Sequence, residues 1–405
     1  MNQSHDFQPG CLQGLKVFDL TRVLAGPTCV QMLADLGAEV IKIERPGVGD
    51  DTRGFTPPVM PGTTESAYFA GTNRNKQSVT LDIATSEGRA LALRLIAQCD
   101  VLVENFKVGA LAKYGLGYEQ LKQTFPGLIY CSITGFGQTG PYAHRPGYDS
   151  VIQAMGGVMS LTGEPDGLPQ KVGVPISDVF AGLYACIGVL GALRHKERTN
   201  EGQHVDIGML DTSVAWLANQ GMNYLATGQN PPRLGNQHPN IAPYQVFETQ
   251  DGAVMVSIGN DPTFQRFCKV FGVADLAVDP RFTTNAGRVS HRQALTDALA
   301  PLFKQQLTAW WVSELEEHDI GYGPINRLAD VFSDPQVLAR GDIIEMQQEN
   351  GTKMKLVANP VRLSATPPTY RTAPPVLGQH TKAVLRDWLA LSEDEIDTLH
   401  VKGVV

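Results

Sequence analysis

Apolar positions along the chain fall into two alternating patterns. Short runs at strand spacing give way to longer stretches whose apolar residues recur every three or four positions, as on the buried face of a helix. Residues 15–20 predict a strand, 21–27 a loop and the stretch to Leu36 a helix. Pro27 suits the first turn of that helix and Gly37 its end. Residues 38–44 predict the next strand, which makes a strand–loop–helix–strand unit of parallel-crossover length. The pattern recurs with a helix over 86–98, capped by Thr85 or Ser86, and a strand over 100–104. Two short helices near 108–114 and 118–124 then precede a strand over 128–133. This alternation predicts a doubly wound α/β domain that binds ligands at the C-terminal ends of its strands.

Further on, a short strand-like run ends at Ser177-Asp178, and a helix continues from there to about His195. A polar turn over 198–203, a strand over 204–207 and a helix from Met209 to about Thr227 come next. Residues 228–240, rich in Pro, Gly and Asn, read as a linker. A hairpin over 244–249 and 253–258 turns at Gln250-Asp-Gly252, and helices are expected over 263–271, 292–305 and 308–318. Residues 226–325 therefore read as a smaller α+β domain. The large α/β domain spans 1–225 and is completed by 326–405. That last part holds a short helix at 335–340, a hairpin over 343–347 and 354–357, an extended Pro-rich run over 360–375, and helices over 380–391 and 393–400.

Composition narrows the class. Of 405 residues, 42% are hydrophobic and 18% charged, which is ordinary globular material. The net charge of -8 argues against a general nucleic-acid binder, whose affinity rests on neutralising phosphates. None of the six cysteines forms a C-x-x-C pair, and the nine histidines show no metal-ligand spacing, so no metal site is expected. Most of the thiols sit in apolar runs and read as reduced, buried groups of a cytoplasmic protein. The polar start, residues 1–10, is neither a signal nor a transit peptide. The most apolar run, 179–193, is shorter than the ~20 residues that cross a bilayer, so no membrane partner is expected.

Two local features carry chemistry. The loop after the first strand has Ala-Gly-Pro where a dinucleotide fingerprint needs G-x-G-x-x-G, which weakens a nicotinamide-dependent reading. Asp178 is the only acid between Asp166 and Glu197, and it stands before a long apolar segment. It can be an N-cap, accepting the unpaired N–H groups of a first helical turn. It can also be a carboxylate held at a helix N-terminus as a covalent nucleophile. The residues alone leave both open.

Eight stretches in order then carry a resemblance. They are Val23-Leu-Ala-Gly-Pro27, Gly37-Ala-Glu-Val-Ile-Lys-Ile-Glu-Arg45, Gly49-Asp-Asp-Thr-Arg53, Asn73-Arg-Asn-Lys76, Val103-Glu-Asn-Phe106, Gly135-Phe-Gly-Gln-Thr-Gly-Pro141, Ser177-Asp178 and Arg233-Leu-Gly-Asn236. From Leu15 to Val405 the chain resembles the class III CoA-transferases of CaiB/BaiF type. The resemblance implies a Rossmann-like large domain with a smaller domain, in a homodimer of interlocked rings. It implies coenzyme A as a substrate rather than a permanent cofactor, and acyl-CoA and small carboxylic acids as the molecules bound. Asp178 falls at the family's nucleophile, which would form an aspartyl-CoA intermediate while still sitting as an N-cap, kept ionised by the helix end. By the same resemblance CoA would be held by the Leu24 and Ala25 backbone, Arg45, Leu81, Asn105, Phe106 and Lys113, with Arg145 and Tyr148 near the pantetheine path. Gly259, Asn260 and His238 would face the substrate.

The chain departs from the pattern at several points. Leu24 stands where the oxalate enzyme has a glutamine, Ala84 and Pro146 replace basic CoA contacts, and the glycine-rich loop of the small domain is reduced to Ile258-Gly-Asn-Asp261. The runs Ile320-Gly-Tyr-Gly-Pro-Ile-Asn326 and Leu377-Gly-Gln-His380 look closest to enzymes that move CoA between succinate and C5 dicarboxylates such as glutarate. A formyl-CoA or acetyl-CoA:oxalate CoA-transferase is the second reading. An α-methylacyl-CoA racemase would need a histidine base where Tyr148 stands, and tyrosine, with its pKa near ~10, is a poor base. A protein that binds acyl-CoA without turnover is the rival of another kind. Arg22, Arg53, Arg74 and His238 are the candidates for holding a distal carboxylate.

Overall fold

A computed structural model describes residues 10–405; the polar run at residues 1–9 lies outside the described residues. The chain divides into two compact units. The first comprises residues up to Gly157, Val172–Trp216 and Pro335–Val405; the second comprises Val158–Lys171 and Leu217–Asp334.

The first unit is built on six parallel strands: β1 (Lys16–Asp19), β2 (Glu39–Glu44), β3 (Lys76–Thr80), β4 (Val101–Glu104), β5 (Ile129–Thr134) and β6 (His204–Gly208). Their order in the sheet is β3-β2-β1-β4-β5-β6. Every neighbouring pair is parallel. Because strand side chains alternate, the adjacent pairs Val17/Phe18 and Val40/Ile41 feed opposite faces. One face packs Phe18, Ile41, Leu102 and Tyr130 against Leu91 and Leu95 and against Val384, Leu385 and Ile396 of the two C-terminal helices. The other packs Val17, Val40, Val103 and Cys131 against the helices Ala25–Asp35 and Ile176–Thr199. The strands are apolar on both sides because both sides are covered. Thr85 caps the helix Ser86–Ile96, its hydroxyl accepting from the Gly88 N–H at 2.9 Å.

The structure corrects several sequence expectations. The strand β3, the helix Asp149–Met155 and the strand β9 (Gly321–Pro324) have no counterpart in the hydropathy reading. β3 reads Lys-Gln-Ser-Val-Thr, and its polar positions are buried by partners rather than by apolar contact. No strand leads directly into Asp178; residues 162–175 are irregular up to the start of its helix. The helix that carries it runs 24 residues, Ile176–Thr199, past the predicted end and beyond the length used to exclude a membrane span. Its small residues Ala181, Gly182, Ala185 and Ala192 are buried within this unit. The helix expected over 209–227 breaks into Met209–Ala215 and Ala218–Thr227. Ala218 takes the left-handed region at φ 48°, where the chain has just left the first unit.

The second unit centres on an antiparallel sheet of β7 (Tyr244–Glu248), β8 (Ala253–Ser257) and β9. Its core joins Phe247, Val254 and Val256 to Phe264, Phe303 and Trp311. The hairpin of β10 (Ile343–Gln347) and β11 (Lys353–Val357) belongs to the first unit.

One buried charge fastens the C-terminal segment to the sheet domain. Both carboxylate oxygens of Asp35 accept from Arg74, at 2.9 and 2.6 Å, and Asn75 and Asn359 donate to them as well. Removing one partner of such a pair strands the other charge away from water. We expect Asp35→Ala to destabilise the fold by about 3–5 kcal/mol, read as a lower denaturant midpoint. A midpoint equal to wild type would show that Asp35 is not the fastening point.

Candidate active site

In a doubly wound sheet the loops after the two strands flanking the change of direction diverge and leave a crevice. Here that point lies between β1 and β4. Thr21–Ala25 follows β1, and Asn105–Val108 follows β4. A cavity of about 250 Å³ opens there, lined by Leu24, Ala25, Asn105, Phe106, Gly135 and Asp178. Arg145 and Tyr148 reach its wall. A neighbouring cavity of about 290 Å³ is lined by Arg45, Leu81, Ala84 and Tyr114 and shares Arg22, Asp51 and Phe106 with the first. The fold thus brings six of the sequence-predicted positions, Leu24, Ala25, Asn105, Phe106, Arg145 and Tyr148, into the cavity that Asp178 lines, and two more, Arg45 and Leu81, into its neighbour. Lys113 is exposed on the 3-10 turn Leu111–Tyr114 and lines neither cavity, where its neighbour Tyr114 does. Leu81 contributes a buried apolar wall.

Asp178 is not a helix cap. Pro175 occupies the N-cap position, so Asp178 is the third residue of the first turn. The cap's task falls to Asp149, whose Oδ1 accepts from the Ser177 N–H at 2.9 Å. The other oxygen of Asp149 accepts from Gln153 at 2.8 Å, and the fully buried Gln153 accepts from the Val172 N–H at 2.8 Å. This network holds the chain entering the helix and leaves the Asp178 carboxylate for chemistry. Phe180 stacks on Trp216, centroids 4.9 Å apart, and supports the same turn.

The electrostatics also differ from expectation. Burial, and then the nearby charge of Asp149, push Asp178 up to about 7. Attraction to a helix N-terminus is worth only ~0.3–1 kcal/mol and does not reverse this. Near neutrality the free site therefore holds both the acid and the carboxylate form, and only the carboxylate can attack. Asp149 was legible in the sequence only as the residue after Tyr148. Its role depends on a contact across 28 residues.

The candidate cations sort clearly. Arg53 is committed to both oxygens of Glu44 at 2.8 Å and to the Pro375 carbonyl. Arg74 is committed to Asp35 and to the Val357 carbonyl. Neither can hold a substrate carboxylate without breaking a buried pair. Arg22 is exposed, pairs with Asp51 at 3.1 Å, and lines both cavities. Asn105 spends its amide on the backbone of Arg22. His238, Gly259 and Asn260 belong to the second unit. There His238 stacks on Tyr244 and accepts from the Asn240 N–H, while Asn260 caps the helix Asp261–Val270. Gly259 follows β8, and the space where a Cβ would stand is open. Among the described residues no three His, Cys, Asp or Glu side chains converge as a metal site would need.

A parallel sheet with a desolvated carboxylate in its switch-point crevice defines an α/β enzyme with an acid at its ligand site. The sequence matches CoA-transferase family III over residues 12–381. The chain belongs to that family and is a CoA-transferase. It is 47% identical to a succinate–glutarate CoA-transferase of Agrobacterium fabrum, over 93% of this chain and 95% of that one. It is 40% identical to an acetyl-CoA:oxalate CoA-transferase of Acetobacter aceti, over 94% of this chain and 96% of that one. The crystal structure of a CAIB/BAIF family protein from Brucella suis superposes with a TM-score of 0.84 at 48% identity, covering 94% of this chain and all of that one.

A pH profile tests the site's electrostatics. With Asp178 as the attacking group, kcat/KM for the acyl-CoA donor should rise with pH along a limb centred near 7, as its carboxyl loses its proton. Asp149→Asn keeps an acceptor for Ser177 and removes the charge, so the limb should move to lower pH while burial still holds it above an ordinary aspartate. A limb that does not move would mean that Asp149 has no electrostatic hold on Asp178.

Proposed function

We propose that the protein moves CoA from succinyl-CoA to a dicarboxylate of four to six carbons, such as glutarate, through a covalent intermediate on Asp178. The observation that carries the reading is the placement of this carboxylate, raised to about 7, in the crevice between the β1 and β4 loops. The substrate pair rests on similarity: the relative that acts on succinate and glutarate is 47% identical, the oxalate relative 40%. The apolar Leu24 beside Asp178 also suits a longer acid better than oxalate.

The transfer takes four balanced steps. The Asp178 carboxylate attacks the succinyl thioester carbonyl; the C–S bond breaks, giving a mixed anhydride and CoA thiolate. The thiolate attacks the aspartyl carbonyl, forming the aspartyl-CoA thioester and releasing succinate. The acceptor carboxylate attacks that thioester, giving a second anhydride and thiolate. The thiolate then attacks the acceptor's carbonyl, yielding the new acyl-CoA and restoring the Asp178 carboxylate. The overall exchange of one thioester for another is close to energetically matched, with the two anhydrides as high-energy intermediates, and water must be excluded because anhydride and thioester both hydrolyse. Leu24, Ala25, Asn105, Phe106, Arg145 and Tyr148 would line the pantetheine path, Arg45 and Leu81 the nucleotide end. Arg22, the cation facing both cavities, would meet either a CoA phosphate or the distal carboxylate. Gly259, Asn260 and His238 would be the second unit's own contacts to substrate, and CoA is bound only as substrate.

The enzyme would work in the cytoplasm as an interlocked homodimer. Apolar side chains exposed on separate helices support a partner surface, among them Ile187 at 63% and Leu225 at 74%.

Incubation with succinyl-CoA, borohydride or hydroxylamine trapping, and mass spectrometry should locate an adduct on Asp178. Asp178→Asn should lose the adduct and about 10³-fold or more of the transfer rate. Tight CoA binding with no adduct in the wild-type protein would point to a binding protein and end the transferase mechanism. A panel of acceptors should show the highest rate with glutarate or a neighbouring dicarboxylate. A preference for oxalate or for monocarboxylates would overturn the substrate assignment.

A further inference from the structure

The turn that enters the crevice from β1 contains a conformational oddity. Val23 has φ 68°, in the left-handed region. A β-branched side chain rarely adopts it, and the surroundings must over-determine such a residue to hold it there. They do so with a buried ion pair outside the transfer steps and with the partly buried Asn105 amide. The Lys42 ammonium donates to the Thr21 carbonyl at 2.7 Å and pairs with Asp50 at 2.9 Å, and both side chains are fully buried. Asp50 Oδ1 accepts from the Val23 N–H at 3.2 Å. Asn105 closes the other side, accepting from the Arg22 N–H at 2.9 Å and donating to the Arg22 carbonyl at 2.7 Å. Three consecutive residues, Thr21 to Val23, are thus gripped by side chains from β2, from the loop after β2 and from the loop after β4.

Beyond this turn the chain meets the nucleophile's helix directly. Leu24 is the N-cap of the helix Ala25–Asp35. The Ala25 carbonyl lies so close to Gly182 that a Cβ there would sit 2.6 Å from it. Gly182 is one turn beyond Asp178 on the same helix. The direction in which Val23 sends the chain therefore sets how Leu24 and Ala25 face Asp178.

We propose that Lys42 and Asp50 are positioning residues for the transfer reaction: their buried ion pair holds Val23 left-handed and so fixes the Arg22–Ala25 turn against the Asp178 crevice. A buried pair is weak evidence for stability, since well-packed apolar replacements are often neutral. The geometry here shows instead what the pair specifies. The proposal rests on Asp178 being the nucleophile.

The test uses the full-length protein and rapid-quench trapping of the Asp178 adduct from succinyl-CoA. Lys42→Met with Asp50→Leu removes both charges together and strands neither. The double variant should fold and bind CoA, with adduct formation slowed by about 100-fold, as a displacement of about 1 Å would do. KM for succinyl-CoA should change much less than this rate. Adding Val23→Gly, which adopts the left-handed conformation without a clamp, should restore adduct formation to within about tenfold of wild type. If the apolar pair does not fold, Asp50→Asn with and without Val23→Gly asks the same question, because it breaks the pair but keeps an acceptor for Val23. Wild-type adduct rates in the folded variant would overturn the proposal, as would a folded, slowed variant that Val23→Gly does not rescue. A wild-type protein that forms no adduct would instead overturn the reading of Asp178, so the two failures are distinguishable.

Discussion

Charge taken out of water along β1, β2 and β3 is the constraint around which the first unit is arranged. Lys76 pairs with Asp19 at 3.1 Å, Lys42 with Asp50 at 2.9 Å, and Arg53 with Glu44 at 2.8 Å, all with side chains buried or nearly so. None of these charges can be left alone at acceptable cost, so each fixes the strand end or loop that supplies its partner. Together they draw the ends of β1, β2 and β3 and the 50–53 turn into one arrangement. Burial pulls Lys76 down to about 8, and Asp19 opposes that fall. Asp50 is held at about 2, because Lys42 and the Thr52 donors outweigh its own desolvation.

Asp178, the proposed nucleophile, is treated in the opposite way. Asp178 is also desolvated, but the neighbouring charge is another carboxylate, so its pKa rises while that of Asp50 falls. The contrast sets the cation-paired Asp50 apart from Asp178, whose charged neighbour is another carboxylate. The two arrangements meet at the Thr21–Ala25 turn, which is gripped by the buried charges on one side and faces Asp178 on the other.

Much of the fold was legible along the chain because both faces of the sheet are covered. Continuous apolar runs marked β1, β2, β4 and β5, and Pro27, Gly37 and Thr85 marked helix ends by local stereochemistry. β3 escaped because its Lys76 and Ser78 are satisfied by Asp19 and Glu44 from distant strands, so its burial has no hydrophobic signature. β9 escaped because Gly-Tyr-Gly-Pro is a strand only through its pairing with β8. The lysine inside Val-Ile-Lys-Ile of β2 was a visible anomaly, but its meaning depends on the Asp50 carboxylate that meets it.

The sequence by itself determined the α/β class, the family, and Asp178 as the acid of interest, since these come from local periodicity and from ordered motifs. It did not determine that Asp178 lies inside the helix rather than capping it, that Asp149 does the capping, or that Arg53 and Arg74 are already occupied. Each of these depends on which groups meet across tens or hundreds of residues once water is excluded. In that dry environment a carboxylate's partner, rather than its position in the chain, decides whether its charge is stabilised, as at Asp50, or its pKa is raised, as at Asp178.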